Sequence, residues 1–263
     1  MFKEFRKHIG IMRKISKGNA YVIYQMGKVG SSSIEKSLEK SKLNVIHVHT
    51  LYGLTENYKF SKKRNKLNEF KKYILSLLYR FVLKRSGQVK IITLIREPVS
   101  RNVSTLFQEL PKMLYIDSKN DNRKELDANS TLNNFLDLYV NQEIPLTWFN
   151  DELESVTGIN VFETKFDKTA GYSFYKNKNF EVLLLTAERL NKNKSVIESF
   201  TNTSIDLSKG ANISKNKWYS GLYSDFKNNF KPNELYMNKF YSDKRIKHFY
   251  LDDEIDDFRG KWS

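Results

Sequence analysis

The sequence predicts an α/β fold: three layers around a mostly parallel sheet, with a helix-rich C-terminal half. Three observations carry that expectation. Runs of β-branched and aromatic residues at 20–25, 43–49, 89–95 and 180–185 have the length and composition of buried parallel strands. Helix-period segments alternate with the strands over residues 20–110, as strand–helix–strand units require. From residue 212 the chain reads as helical almost to its end. With 40% hydrophobic and 14% aromatic residues, the 263-residue chain can bury a full core and is not disordered. No linker, repeat or low-complexity block divides it, so a single domain over 1–263 is expected, with a basic segment at 1–19.

In that first segment Phe2, Phe5, Ile9, Met12 and Ile15 recur at helical spacing. A short amphipathic helix of this kind either packs on the domain or rests on an inner membrane surface, and its modest amphipathicity favours packing. The strand at 20–25 then runs into Gly27, Lys28, Val29, Gly30, Ser31, Ser32 and Ser33, followed by a helical pattern with Ile34 and Leu38 on one face. Two glycines let the backbone aim its N–H groups at one point, and a helix N-terminus adds unpaired donors and a positive dipole end. Lys28 brings a full charge and the serines bring hydroxyls, so the turn suits a phosphate-like anion. It is not a Walker A loop, which needs Gly, four residues, then Gly-Lys-Ser/Thr. Here Ser31 follows the second glycine and the lysine precedes it. The plain alternative is a Gly-Ser turn that binds nothing.

The strand at 43–49 places His47 and His49 on one side, at the C-terminal edge where open α/β sheets bind ligands. A histidine there titrates near neutrality and suits a base, or it merely bonds within the sheet. Residues 62–66 are basic, and Phe70, Ile74, Leu77, Leu78 and Phe81 then form an apolar stripe expected to face the core. The strand at 89–95 ends in Arg96-Glu97-Pro98, with Arg101 and Ser104 following. Pro98 suits a first helical turn, and Arg96 and Ser104 can reach one anion from two sides. The helix from Pro98 is expected to give way to a polar loop at 117–130, then helices at 131–140 and 145–156. Glu109, Glu152 and Glu154 read by default as surface carboxylates. Residues 158–162 read as a short extended segment, 172–179 as a loop and 188–200 as a helix.

The two anion motifs, in this order and each after a buried strand, resemble the sulfotransferases that use 3′-phosphoadenosine 5′-phosphosulfate. In that superfamily a Gly/Lys/Ser loop after the first strand holds the 5′-phosphosulfate, and an Arg-x₇-Ser pair holds the 3′-phosphate. The typical Arg-Asp-Pro-x-x-Arg-x-x-Ser appears here with Glu97 in place of Asp. Residues 148–153, 158–162, 166–168 and 171–172 look like the middle of carbohydrate sulfotransferases. Residues 216–220, Asn-Lys-Trp-Tyr-Ser, match the signature of NKWYS, a bacterial family of capsular polysaccharide synthesis proteins. The resemblance runs from about residue 20 to the C-terminus. It implies a P-loop-like sulfotransferase fold and transfer of a sulfuryl group to a hydroxyl of a capsular or other cell-surface glycan.

On that resemblance Gly27 to Ser33 and Arg96 with Ser104 hold the donor, and Arg101 is either a third contact or the partner of Glu97. A C-terminal basic segment commonly closes over the nucleotide, so Lys215 or Lys217 is expected at the 3′-phosphate and Trp218 at the adenine. The plain reading of Trp218 is packing against the core. The acceptor hydroxyl must lose a proton as it attacks sulfur, and His49, His47 or a carboxylate is the expected base. No metal is expected, since the loop carries the charge. Two rivals stay open: a P-loop-like kinase or NTPase, and a non-catalytic glycan-binding or assembly protein.

A net charge of +15 points to an anionic partner. No nucleic-acid module is visible and the lysines are interleaved with acids, so nucleic acid is not expected. A nucleotide fits, with a glycan acceptor that is acidic or lipid-linked. The chain has no cysteine, hence no disulfide or thiolate metal site. No apolar run approaches the roughly 20 residues of a membrane span, and residues 1–18 lack the apolar core of a signal peptide. The expectation is a cytoplasmic protein, with peripheral contact at the inner membrane surface held open.

Overall fold

The computed structural model describes residues 2–16, 20–41, 43–51, 66–113, 143–207 and 219–263. Its centre is a five-stranded sheet in the order β2-β1-β3-β5-β4. The strands are β1 (Ala20–Tyr24), β2 (Asn44–Val48), β3 (Val89–Ile95), β4 (Tyr172–Lys176) and β5 (Phe180–Thr186). The pairs β1–β2, β1–β3 and β3–β5 are parallel; only β4 runs antiparallel, on the edge beside β5. Parallel strands covered on both faces need continuous apolar sequence. β3 and β5 supply it: Ile91, Ile92, Leu94, Ile95 and Val182 to Leu185 are all essentially inaccessible.

The strand order sets where a ligand can sit. β2 lies on one side of β1 and β3 on the other, so the winding reverses between β1 and β3. Open α/β sheets bind ligands beyond the C-terminal ends of the strands at such a reversal. The turn after β1 leads into α2 (Ser32–Lys40), and the turn after β3 into α4 (Pro98–Met113). The two anion motifs therefore share one crevice.

Around the sheet, α1 (Phe2–Ser16) packs on α3 (Lys66–Arg85), burying Ile15 and partly Ile11 and Met12. The amphipathic N-terminal segment thus lies on the domain. The stripe expected to bury α3 is turned differently. Tyr79 and Leu83 face the core, while Ile74, Leu78 and Phe81 are exposed. Arg85 covers the Phe81 ring at 4.3 Å. Leu83 and Tyr79 lie one turn apart, so the helix is rotated from the face that the most apolar residues suggested.

A helix begins at α5 (Ile144–Trp148), becomes a π-helix over Phe149–Glu154 and finishes as a single α-turn, Ser155–Thr157. The helix expected at 145–156 is therefore present with a wider turn inside it. Residues 158–160 have no regular secondary structure and 161–162 form a turn, so no strand runs through the segment expected to be extended. Residues 172–176, expected as a loop, are the edge strand β4. Asn177 Oδ1 accepts from Asn179 N at 3.0 Å and Phe180 N at 2.9 Å, closing the β4–β5 hairpin. After a 3₁₀ turn, Ala187–Arg189, come α6 (Lys194–Thr201), α7 (Ser220–Asn229), α8 (Glu234–Tyr241), α9 (Lys244–Lys247) and α10 (Asp252–Trp262). The C-terminal region is helical, as its sequence pattern requires. The loop expected at 117–130, the helix at 131–140 and the basic stretch 62–65 lie outside the described residues. No described helix is long and apolar enough to cross a membrane.

Candidate functional site

The turn after β1 owes its shape to three left-handed residues in four: Gly27 at φ 81°, Lys28 at φ 64° and Gly30 at φ 85°. Gly27 and Gly30 meet that requirement without steric conflict; Lys28 adopts it against the preference of a side chain with a Cβ. The N–H groups of Val29, Gly30, Ser32 and Ser33 have no acceptor among the described residues. They gather at the start of α2, whose first N–H groups add their dipole. Two of the three serine hydroxyls are engaged locally. Ser31 Oγ accepts from Gln25 Nε2 at 2.9 Å, and Ser33 Oγ donates to Gly30 O at 3.0 Å.

Gln25 is the organiser that sequence reading passed over. Its Oε1 accepts the Gly27 N–H, and its Nε2 lies 2.9 Å from His47 Nε2. His47 Nδ1 in turn meets Glu35 Oε2 at 2.7 Å, so both ring nitrogens are occupied. His49 differs. Its Nδ1 lies 3.1 Å from Gln25 O, and in the tautomer that donates there the Nε2 lone pair is left over. Among the described residues that nitrogen has no partner. Burial, followed by the neighbouring His47, holds the His49 pKa below its ordinary value, keeping the ring neutral. The two rings meet edge to face at 4.9 Å, and His49 packs against Gly27. A buried Gln between a Gly-rich turn and a histidine strand was the available signal.

From β3, Arg96 Nη1 donates to Lys28 O at 3.0 Å, which puts the two motifs side by side. Arg101, only 2% exposed, straps the same turn from below: Nη2 donates to Met26 O at 3.0 Å and Nε to Gly27 O at 3.4 Å. Glu97 caps α4, accepting from Val99 N at 2.7 Å and Ser100 N at 2.8 Å. It also accepts from Tyr241 Oη and Trp262 Nε1. Glu97, which stands where the resembled motif has Asp, thus serves as the helix cap. Ser104 is half-buried one turn beyond Ser100 on the same face of α4.

Two more residues join from elements the sequence reading left aside. Lys261 of α10 donates to Ser100 Oγ at 2.6 Å. Its pKa is lowered by burial, opposed by Glu97, then lowered further by Lys227 and Arg96, so these cations share one field. Glu188, after β5, accepts from Glu97 N at 2.9 Å and Tyr250 Oη at 3.0 Å. Its surface is exposed, yet dense surroundings raise its pKa.

Beside the turn opens a cavity of about 140 Å³. Gly27, Lys28, His49 and Thr50 form one wall. Thr147, Trp148, Asp151 and Glu152 from the π-helical segment form the other. Glu152 is buried and accepts from Tyr24 Oη at 2.5 Å and Leu51 N at 2.8 Å, so the surface role expected for it is wrong. Glu154 is half-buried and bonds Asn150. Lys215, Lys217 and Trp218 lie outside the described residues, as does the Glu109 side chain. Among the described residues no group of three metal-ligating side chains gathers.

The π-helix, β4, β5 and the helices α5 to α9 all fall within residues 123–251, which match one family model. That family is NKWYS, "putative capsular polysaccharide synthesis protein". The NKWYS match takes in the acidic wall of the cavity; the turns at Gly27 and Arg96 lie outside it. No curated protein and no solved structure matches the chain.

Proposed function

We propose that this chain is a sulfotransferase of the P-loop-like α/β kind, which moves a sulfuryl group from 3′-phosphoadenosine 5′-phosphosulfate to a hydroxyl of a bacterial cell-surface glycan. The observation that carries the reading is the hydrogen bond from Arg96 to the Lys28 carbonyl, because it sets two anion-binding turns side by side at the sheet's reversal point. The donor carries anions at both ends, and the crevice offers a cationic group for each. The family match supplies the biological setting, capsular polysaccharide synthesis.

In this reading the free N–H groups of the turn and Lys28 stabilise charge that builds on the transferring oxygens and the departing phosphate. Arg96, with Ser104 and Lys261, holds the 3′-phosphate. His49 Nε2 takes the acceptor proton as the new O–S bond forms and the S–O bond to phosphate breaks. The products are a sulfate ester, the 3′,5′-bisphosphate nucleotide and a proton held by His49. His47, both of whose nitrogens are occupied, orients the loop through Gln25.

Thermal shift tests the donor. Adenosine 3′,5′-bisphosphate at 100 times its Kd should stabilise the protein by about 2.7 kcal/mol, a rise of several degrees, and ATP with magnesium should give much less. Arg96→Ala should weaken the bisphosphate at least about tenfold, roughly 1.4 kcal/mol for a charge-assisted contact. Equal shifts from the two nucleotides, or unchanged affinity in Arg96→Ala, would reject the assignment. Transfer of labelled sulfate to capsular saccharide then tests the reaction itself.

A further inference from the structure

The cavity wall opposite Lys28 has a chemistry distinct from that of the turn, and we infer that the cavity receives one carboxylate-free sugar ring, the residue whose hydroxyl is modified. The inference rests on the sulfuryl-transfer reading and narrows its acceptor. Size is the first argument. A cavity of about 140 Å³ is close to the ~150 Å³ that encloses a benzene ring, and cannot hold an oligosaccharide. One ring enters, and the rest of the chain stays in solvent.

The wall facing His49 is the second argument. Ile144 and Trp148 give it an apolar portion, with Trp148 fixed by donating Nε1–H to His49 O at 2.9 Å. Thr147 and Gln108 offer neutral donors and acceptors of the kind sugar hydroxyls need. The remaining polar groups on that side are acidic, Asp151 and Glu152. Of the cations on the lining, Lys28 faces the donor in that reading and Arg101 is turned towards the carbonyls of Met26 and Gly27, while Arg245, whose field reaches Asp151, is paired with Asp243. A uronic acid would bring a third negative group against these two acids, where like charges repel. The overall +15 charge draws anions to the molecule, yet this chamber selects against them.

The experiment compares matched pairs on the full chain loaded with adenosine 3′,5′-bisphosphate. Methyl glucoside and methyl galactoside are titrated against methyl glucuronide and methyl galacturonide by ligand-observed NMR. At least one neutral glycoside should bind about tenfold or more tightly than its uronide. Asp151→Asn, an exposed and nearly isosteric change, should shrink that ratio to about threefold or less. A uronide that binds as well as its neutral partner overturns the inference, as does an unchanged ratio in Asp151→Asn or failure of every neutral glycoside to bind. Nucleotide loading is read separately by thermal shift. If the bisphosphate fails to bind, the sulfuryl-transfer reading falls, and the same titrations on the free protein still decide the sugar class.

Discussion

Lys28 occupies a left-handed conformation at φ 64°, where a residue with a Cβ is strained by about 1 kcal/mol. The strain turns the Val29 and Gly30 N–H groups inward, and Arg96 fixes the Lys28 carbonyl. Lys28→Gly should therefore hold or raise stability by up to about 1 kcal/mol in urea denaturation, while sulfate transfer falls at least about a hundredfold, as when a charge-stabilising donor is lost. A large loss of stability would mean that Lys28 is structural. His49 makes a second residue-scale prediction. Its pKa is depressed by burial and then by His47, so the folded protein refuses a proton that the unfolded chain accepts below about pH 6.5. Its contribution to stability is present above that pH and is lost as pH falls through the folded value. In the proposed role of base, it should give a turnover profile that rises with pH through an apparent pKa below 6.5 and is level near neutrality. His49→Asn should abolish that limb while retaining nucleotide affinity. A limb that survives in His49→Asn belongs to another group.

At the scale of elements, the π-helical turn Phe149–Glu154 decides which side chains enter the cavity. A wide turn shifts the register of everything after it, and such turns gather at functional sites. Here it buries Glu152 against Tyr24 and Leu51, whose strand and following segment flank the cavity. Glu152→Ala should cost about 2–4 kcal/mol, because it removes the acceptor serving a buried hydroxyl and a backbone N–H. Glu152→Gln keeps an acceptor and should cost less than half as much in the same denaturation experiment. Equal costs would show that volume, not hydrogen bonding, matters there. Sequence pattern could not reveal this, since a π-turn and an α-turn share nearly the same spacing of apolar residues. What was legible was the sheet and its two turns: continuous apolar runs at 89–95 and 180–185 and glycine-rich chemistry at 27–30 speak through local rules. The β4 strand was also written locally, as aromatic residues before the Asn-Lys-Asn turn, but its neighbouring polar residues suggested a loop. The face of α3, the burial of Glu152 and the reach of Lys261 depend on partners far along the chain, which periodicity does not name.

Across the whole molecule, the end of the chain returns to the beginning of the crevice. Trp262 is 1% exposed and donates Nε1–H to Glu97 Oε2 at 3.3 Å, while Tyr241 donates to the other carboxylate oxygen at 2.6 Å. Glu97 caps the helix that follows Arg96, so α8 and α10 help to fix the turn on which Arg96 stands. Lys261 on the same helical turn as Trp262 then joins Arg96 and Lys227 in one positive field. Trp262→Ala should cost about 3–5 kcal/mol through lost packing. It should also weaken bisphosphate-nucleotide binding measured below its lowered melting temperature, because the cap, Lys261 and Arg96 loosen together. Ile197→Ala supplies the comparison: Ile197 is fully buried in α6, whose last residue Thr201 accepts from Tyr21 at the opposite end of β1. That substitution should cost about 2–5 kcal/mol and leave nucleotide affinity nearly unchanged. The coupling lies in the difference between the two variants. Were they to lose affinity alike, global softening would account for both, and the C-terminal helix would have no specific hold on the anion site.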